Sequence, residues 1–360
     1  MRIRLPGDIH YALSHFALYG AAAIIEQELG ARVRLRWLGA DASEIRLVTT
    51  EWAEPDVANA LLAHAKRHTG TWVQAVHEHR TGKKTSAVGT LSPRLPQAAD
   101  QESWQALQEA RHFLMDEALK ERQWLDLAFM QALGEPSYWY RDQNGKPRPD
   151  TGASGWEMKT RNRGEEFIKN RLAPLAQSVS KRPPEKVLQG LTGEYFADEE
   201  GKNAPDSRTP TGLRPPYPTD NAVAWAALWG ISFFPVLHRA TILGRHKNRQ
   251  GATSLTTGQL RTGMPGLNRF RRAYTILPRI DRPMGLATLK SVLVSGPLAR
   301  QAAARIKGGA TNPDPRTPAD IAWLRSKGVG GLLTSVVTAS DNPNAPELAV
   351  ARGELVTLPL

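Results

Sequence analysis

Residues 8–38 read DIHYALSHFALYGAAAIIEQELGARVRLRWL, and within them the hydrophobic period changes from that of a helix to that of a strand. After Pro6 and Gly7 comes Asp8, a helix-capping residue, and Ile9, Leu13, Phe16, Gly20 and Ile24 then recur at spacings of three and four up to Gly30. That spacing predicts an amphipathic helix stopped by the glycine. From Val33 the period shortens to two, with Val33, Leu35 and Trp37 alternating with Arg32, Arg34 and Arg36. One face of the predicted strand is apolar and the other wholly basic. A second strand, residues 44–49, follows a short Gly and Asp turn, and a helix is predicted over residues 55–68. Residues 1–95 thus predict an α+β unit of helix, hairpin and helix. Its arginine face is either a solvated exterior or a phosphate-facing surface.

Residues 96–140 predict a helical segment. Trp104, Leu107, Arg111 and Leu114 share a stripe, Trp124, Leu125 and Phe129 continue it, and Gly134 and Pro136 stop it. Residues 141–219 are polar, with seven prolines between Lys181 and Pro218, and predict an extended connector. Residues 220–360 predict a mixed α+β domain. Asp220 caps a helix ending at Gly230, a buried strand is expected over 233–243, and Gly244–Gly251 forms a basic finger before strand-like residues resume. Thr317 and Pro318 open a short helix holding Ile321, Trp323 and Leu324, closed by Lys327 and Gly328, and residues 354–358 predict a last strand. The fold class is α+β. Ala17-Leu18-Tyr19-Gly20 is echoed by Ala227-Leu228-Trp229-Gly230, too short a match to make a repeat.

The charge is uneven. The chain carries a formal +12, and the 60 residues between Asp220 and Asp281 contain no acid but nine Lys and Arg; the remainder holds 38 Lys and Arg against 35 acids. An uncompensated basic window repels itself and attracts a polyanion, of which phosphate backbones are the commonest. In the finger, Arg245, Lys247 and Arg249 alternate with Asn248 and Gln250, whose amides suit base edges. Arg261 follows, and Arg269, Phe270, Arg271, Arg272 and Tyr274 set guanidinium groups beside aromatic faces, a combination that clamps a backbone and stacks bases. These residues are the candidate nucleic-acid contacts.

Other chemistry is thinner. With no cysteine, thiolate metal sites and cysteine nucleophiles are excluded, and a reducing cytoplasm is the expected compartment. Met1–Pro6 does not read as a signal peptide. The uncharged run Asn221–His238, interrupted by Gly230, Ser232 and Pro235, reads as buried core and not as a membrane span. Asp150, Glu157 and Lys159 follow the order of a PD-(D/E)-x-K nuclease, in which two carboxylates hold a divalent metal, but they lie in a Gly-rich polar stretch without a supporting strand. His64 and His68, and His77 and His79, lack a third ligand at recognisable spacing and read as helix-end and surface histidines. Gly82-Lys83-Lys84 lacks the upstream glycine of a P-loop, and there is no nucleophile elbow. A non-catalytic protein without metal or cofactor is expected, with a metal-dependent nuclease or a structural protein docking an acidic partner as alternatives.

Two apolar segments bear a family likeness. His15-Phe16-Ala17-Leu18-Tyr19-Gly20-Ala21-Ala22 resembles the amino-terminal helix of some CRISPR-associated effector subunits. Residues 224–231, AWAALWGI, with Phe233-Phe234-Pro235-Val236, resemble the apolar helix and Phe-Pro strand in large or accessory subunits of type I surveillance (Cascade) complexes, particularly type I-G (I-U). The resemblance implies a non-catalytic subunit of a crRNA-guided complex, with guide RNA, target DNA and other effector subunits as partners, a docking surface for a helicase-nuclease, and no membrane partner. Arg245 to Gln250 would then engage duplex, with Arg269, Arg271 and Arg272 tracking a strand.

Overall fold

The computed structural model describes residues 1–49, 51–136, 154, 156, 167–204, 211–237, 255–256, 259–261, 273–306, 317–339 and 348–359, and they form a mixed α+β fold. Strand β1 (Arg2–Pro6), helix α1 (Ala12–Leu29), strands β2 (Val33–Trp37) and β3 (Ala42–Leu47) and helix α2 (Glu54–Arg67) come first. The expected helix, hairpin and helix are there, preceded by a strand encoded in the alternation of Arg2 and Arg4 with Ile3 and Leu5. Asp8 does not cap α1. Its Oδ1 accepts from His10 N at 2.8 Å in the preceding turn, and the helix starts after Tyr11. Gly30, at φ 61°, ends it in the left-handed conformation that glycine adopts without steric cost.

The first sheet is antiparallel, with β3 between β1 and β2, and a short strand from far along the chain, Met284–Gly285, closes on the free edge of β2. Ile3, Leu5, Val33, Leu35, Trp37, Ile45 and Leu47 are buried on the inner face, against which α1 packs. The expected amphipathic α1 is buried almost all round. Thirteen of its residues are buried, because the sheet, α2 and a later helix enclose it.

A hairpin of β4 (Val76–Thr81) and β5 (Lys84–Gly89) turns at Gly82, φ 57°. Helices α3 (Gln101–Lys120) and α4 (Trp124–Leu133) replace the single long helix expected over 100–132; between them Arg122 takes φ 53°, which no helix interior accommodates. Asp100 caps α3, accepting from Ser103 N at 3.0 Å. Arg111, in the apolar stripe, is buried and tied down: its guanidinium donates to Thr90 O at 2.8 Å, Ser92 O at 3.2 Å and the Glu135 carboxylate at 2.9 Å.

The connector expected over 141–219 is helical in part. A π-helical turn, Ile168–Leu172, runs into α5 (Ala173–Val179), and α6 (Pro184–Thr192) follows, with Leu172, Leu175, Val179, Val187, Leu188 and Leu191 buried in the main core. Pro184 lies in the first turn of α6, where a missing N–H costs nothing, and Pro174 sits where the π-helical turn passes into α5. Both prolines belong to helices, not to a loop. Arg182, just before α6, forks onto Asp220 at 2.9 and 3.1 Å and onto Glu199 at 2.6 Å; Asp220 also accepts from Ala222 N and Ala197 N, both at 2.8 Å. The cap expected at Asp220 is therefore also half of a buried ion pair.

Helix α7 (Asn221–Trp229) continues as a 3-10 turn, Gly230–Phe233. Then come β6 (Val236–Leu237), β7 (Leu255–Thr256), β8 (Gln259–Arg261), β9 (Ala273–Ile280), β10 (Met284–Gly285), α8 (Leu286–Leu293), α9 (Gly296–Ile306), α10 (Thr317–Ser326), β11 (Val329–Ala339), β12 (Leu348–Val350) and β13 (Glu354–Thr357). Of the strand expected over 233–243, the described residues contain only Val236–Leu237, while Phe233 belongs to the turn. The helix opened by Thr317 and the final strand are as expected. In the second sheet β11 is central, with β9 and then β8 on one side and β12 and β13 on the other. One apolar cluster runs through the described residues from Ile3 to Leu358.

The two echoed tetrapeptides meet. Helix α1 packs on α7 through Gly20 and Gly230, small residues that let the backbones touch, and Phe16 stacks on Phe234 at 4.8 Å between ring centres.

Candidate polyanion interface

The outer face of the first sheet carries arginine. Strand alternation that sends Ile3, Leu5, Val33, Leu35, Ile45 and Leu47 inward sends Arg2, Arg4, Arg34, Arg36, Glu44 and Arg46 outward. Register sorts them into two rows. Arg2 stands opposite Arg46 and Arg46 opposite Arg34, whereas Arg4 stands opposite Glu44 and Glu44 opposite Arg36. The second row is partly neutralised by the Arg36 to Glu44 ion pair at 3.0 Å. In the first row no acid intervenes. Arg2, Arg34 and Arg46, with the flanking Arg32, are exposed, and none of them has an ion-pair partner among the described residues. Like charges directly opposite on adjacent strands destabilise a sheet. A row of three without an acid is therefore a cost in the free protein that a bound anion relieves.

Arg32, Arg34 and Arg36 are the arginines expected here; Arg2, Arg4 and Arg46 complete the face. Their signal in the sequence is the Arg and apolar alternation of residues 1–6 and 44–48, visible only once the strands are aligned. At the β2 edge, Gly285 of β10 faces Arg34 with nothing near its Cα that a side chain would meet closer than 3.9 Å. Beyond it opens a cleft of about 560 Å³ lined by Arg32, Arg34, Val48, Pro283 and Lys327, with Glu26 at its wall.

The other candidate contacts fall elsewhere. Arg245, Lys247, Asn248, Arg249, Gln250, Arg269, Phe270, Arg271 and Arg272 lie outside the described residues, as do Asp150, Glu157 and Lys159. Arg261 ends β8, opposite Ala273. Arg279, the last cation of the acid-free window, is paired with Asp281 at 2.7 and 2.8 Å and donates to Gly330 O. Its charge is spent on the fold.

The histidines expected at helix ends and on the surface are mostly inside. His64 and His68 are fully buried on the face of α2 that packs against α7 and α4, with Trp229 4.4 and 4.6 Å from their ring centres. His68 Nε2 lies 2.7 Å from Asp126 Oδ1 and its Nδ1 2.6 Å from His64 O, and Trp72 Nε1 donates to the same Asp126 oxygen at 2.7 Å. Burial raises the Asp126 carboxyl, but the His68 hydrogen bond and charge, the Trp72 hydrogen bond and the Arg67 charge outweigh it and hold it below the usual carboxylate range. Burial first, then the charges of His68 and Arg67, push His64 well below an ordinary histidine, and its Nδ1 accepts from Trp225 Nε1 at 3.2 Å. His79 is buried, with Nε2 2.7 Å from Pro96 O, and burial and His79 lower His77. These are core hydrogen bonds.

Among the described residues there is no group of three or more His, Asp or Glu disposed to hold a metal, and no helix long and apolar enough to cross a membrane. No protein-family model matches the chain, and no curated protein matches it in sequence.

Proposed function

We propose that the chain is a non-catalytic nucleic-acid-binding protein whose arginine sheet face takes phosphate backbone, acting in a reducing cytoplasm as one subunit of a larger ribonucleoprotein. The observation that carries this reading is the row Arg2, Arg46 and Arg34, abreast on three strands with no acid between them. The acid-free window of residues 221–280 adds sequence support at a second place. A crRNA-guided type I CRISPR complex, with guide RNA and target DNA as ligands, is the setting suggested by the likeness of residues 15–22 and 224–236. Most of those residues are core, so the likeness speaks for a shared fold and the arginines for the ligand. An acidic protein partner would use the same face with fewer and less regular charges.

The test is a salt series of affinity for duplex and single-stranded oligonucleotides. Contact with five phosphates gives a slope of log K on log salt of roughly −3.5 for single strands and −4.5 for duplex. A slope near zero, or no binding to any oligonucleotide, sinks the reading.

A further inference from the structure

We infer that a single phosphodiester strand crosses the sheet at right angles to its strands, along Arg2, Arg46 and Arg34, and leaves over Gly285 into the cleft beside Arg32 and Lys327. This rests on the nucleic-acid reading and adds a path to it. Three observations define the path. The unneutralised row is bounded on one side, because Glu44 and its pair with Arg36 occupy the middle of the row alongside, and on the other it is flanked by Arg32. The row is bounded at one end and open at the other: Arg2 lies on β1, against which α6 packs and where Glu54 and Glu194 line the same pocket, whereas at the other end the fourth position in register is Gly285, which raises no side chain. Past that glycine the basic lining continues into the cleft with Arg32 and Lys327.

Strand spacing of about 4.8 Å sets the outer arginines roughly 10 Å apart, so the row offers three cations in line to one phosphodiester chain. Among the described residues the face has no aromatic side chain to stack a base: Trp37, the aromatic of β2, is buried on the inner side. The track therefore binds backbone and is indifferent to base identity. In this it differs from the Arg and aromatic pattern of residues 269–274, which suits unpaired bases.

The experiment measures binding of the full chain to two fluorescein-labelled probes, a twelve-residue oligo-dT and an abasic phosphodiester of equal length, for wild type and for Arg46→Gln, Arg34→Gln, Arg4→Gln and Arg46→Lys. Each Gln variant removes one exposed charge from the same face, so net charge alone predicts equal losses. The track predicts about tenfold weaker binding of both probes for Arg46→Gln and Arg34→Gln, about twofold or less for Arg4→Gln, and near wild-type binding for Arg46→Lys. Equal losses at positions 4, 34 and 46 overturn the path while leaving nucleic-acid binding intact. So does unchanged affinity in all three Gln variants, or an abasic probe bound far more weakly than oligo-dT with no further effect of Arg46→Gln. Circular dichroism of each variant separates lost binding from lost folding. A wild type that binds neither probe overturns the underlying reading itself.

Discussion

Gly20 of α1 and Gly230 at the end of α7 touch backbone to backbone: a Cβ on Gly20 would stand 2.6 Å from Gly230 N, and one on Gly230 would stand 2.9 Å from Phe16 Cα. The obstacles are main chain, which cannot swing aside as a long side chain can. Gly20→Ala and Gly230→Ala should each destabilise by about 3 kcal/mol, the upper range for overpacking. Urea midpoints measure this, and a change below about 0.5 kcal/mol would show that the helices separate freely.

Arg182 and Asp220 are both buried, and the carboxylate also caps α7. Asp220→Ala removes cap and counter-ion together and leaves Arg182 with Glu199 alone. A loss of about 3–5 kcal/mol is expected. Asp220→Asn, which keeps a capping oxygen, should lose less; equal losses would mean that the cap contributes nothing and that the whole loss comes from the missing counter-ion.

Stability should fall on acidification through the histidine range. Burial, opposed by the hydrogen bond to Ile9 O and aided by His10, pushes His15 down to about 4, and His64 is also lowered. Above an unfolded pKa of about 6.5 neither state holds these protons; below it the unfolded chain takes them up first, so stability present at neutral pH drains away as pH falls towards 4. For His15 the window corresponds to about 3 kcal/mol. Denaturation midpoints between pH 7.5 and 4.5 report the slope, which should be shallower in His15→Gln; an identical slope in that variant would remove His15 as its source.

Glu44 is the acid of the arginine face. Glu44→Gln, which removes the buried partner of Arg36 in the row beside the track, should strengthen oligonucleotide binding about twofold at low salt and steepen the salt dependence. Weaker binding in this variant would place the ligand elsewhere.

Arg111 reaches two carbonyls of the 90–92 loop and the Glu135 carboxylate with one planar group. A lysine presents a point charge on a flexible stem and cannot span them. Arg111→Lys should cost about 2 kcal/mol by thermal or urea denaturation; a neutral result would show that the loop finds other donors.

The elements legible in the sequence are those whose signals are local. The Gly30 stop, the Val33 to Trp37 alternation, the Asp220 cap and the Thr317-Pro318 start are each read within a few residues, and each is found in the fold. The break at Arg122 was hidden because a non-glycine residue in the left-handed region leaves no composition mark. Helices α5 and α6 are obscured because proline counts as a breaker, although Pro184 fills a first turn and Pro174 sits where a π-helical turn passes into α5. The burial of His64 and His68 had a signal: Val57, Leu61, His64, Ala65 and His68 form one helical stripe, and counting histidine as polar concealed it. The arginine row was half legible, since Arg34 is plain in β2, but its alignment with Arg2 and Arg46 is a matter of register between separate strands. Pairing of residue 35 with residue 284 is a tertiary fact that no local pattern carries.

That pairing has a consequence for dissection. The four-stranded sheet draws its last member from Met284 and Gly285, so an N-terminal fragment ending anywhere before them would expose the hydrogen-bonding rim of β2, an invitation to self-association. Such a piece should precipitate or pair with copies of itself. Co-expressing it with the remainder of the polypeptide should restore a particle of the same size as the intact chain forms.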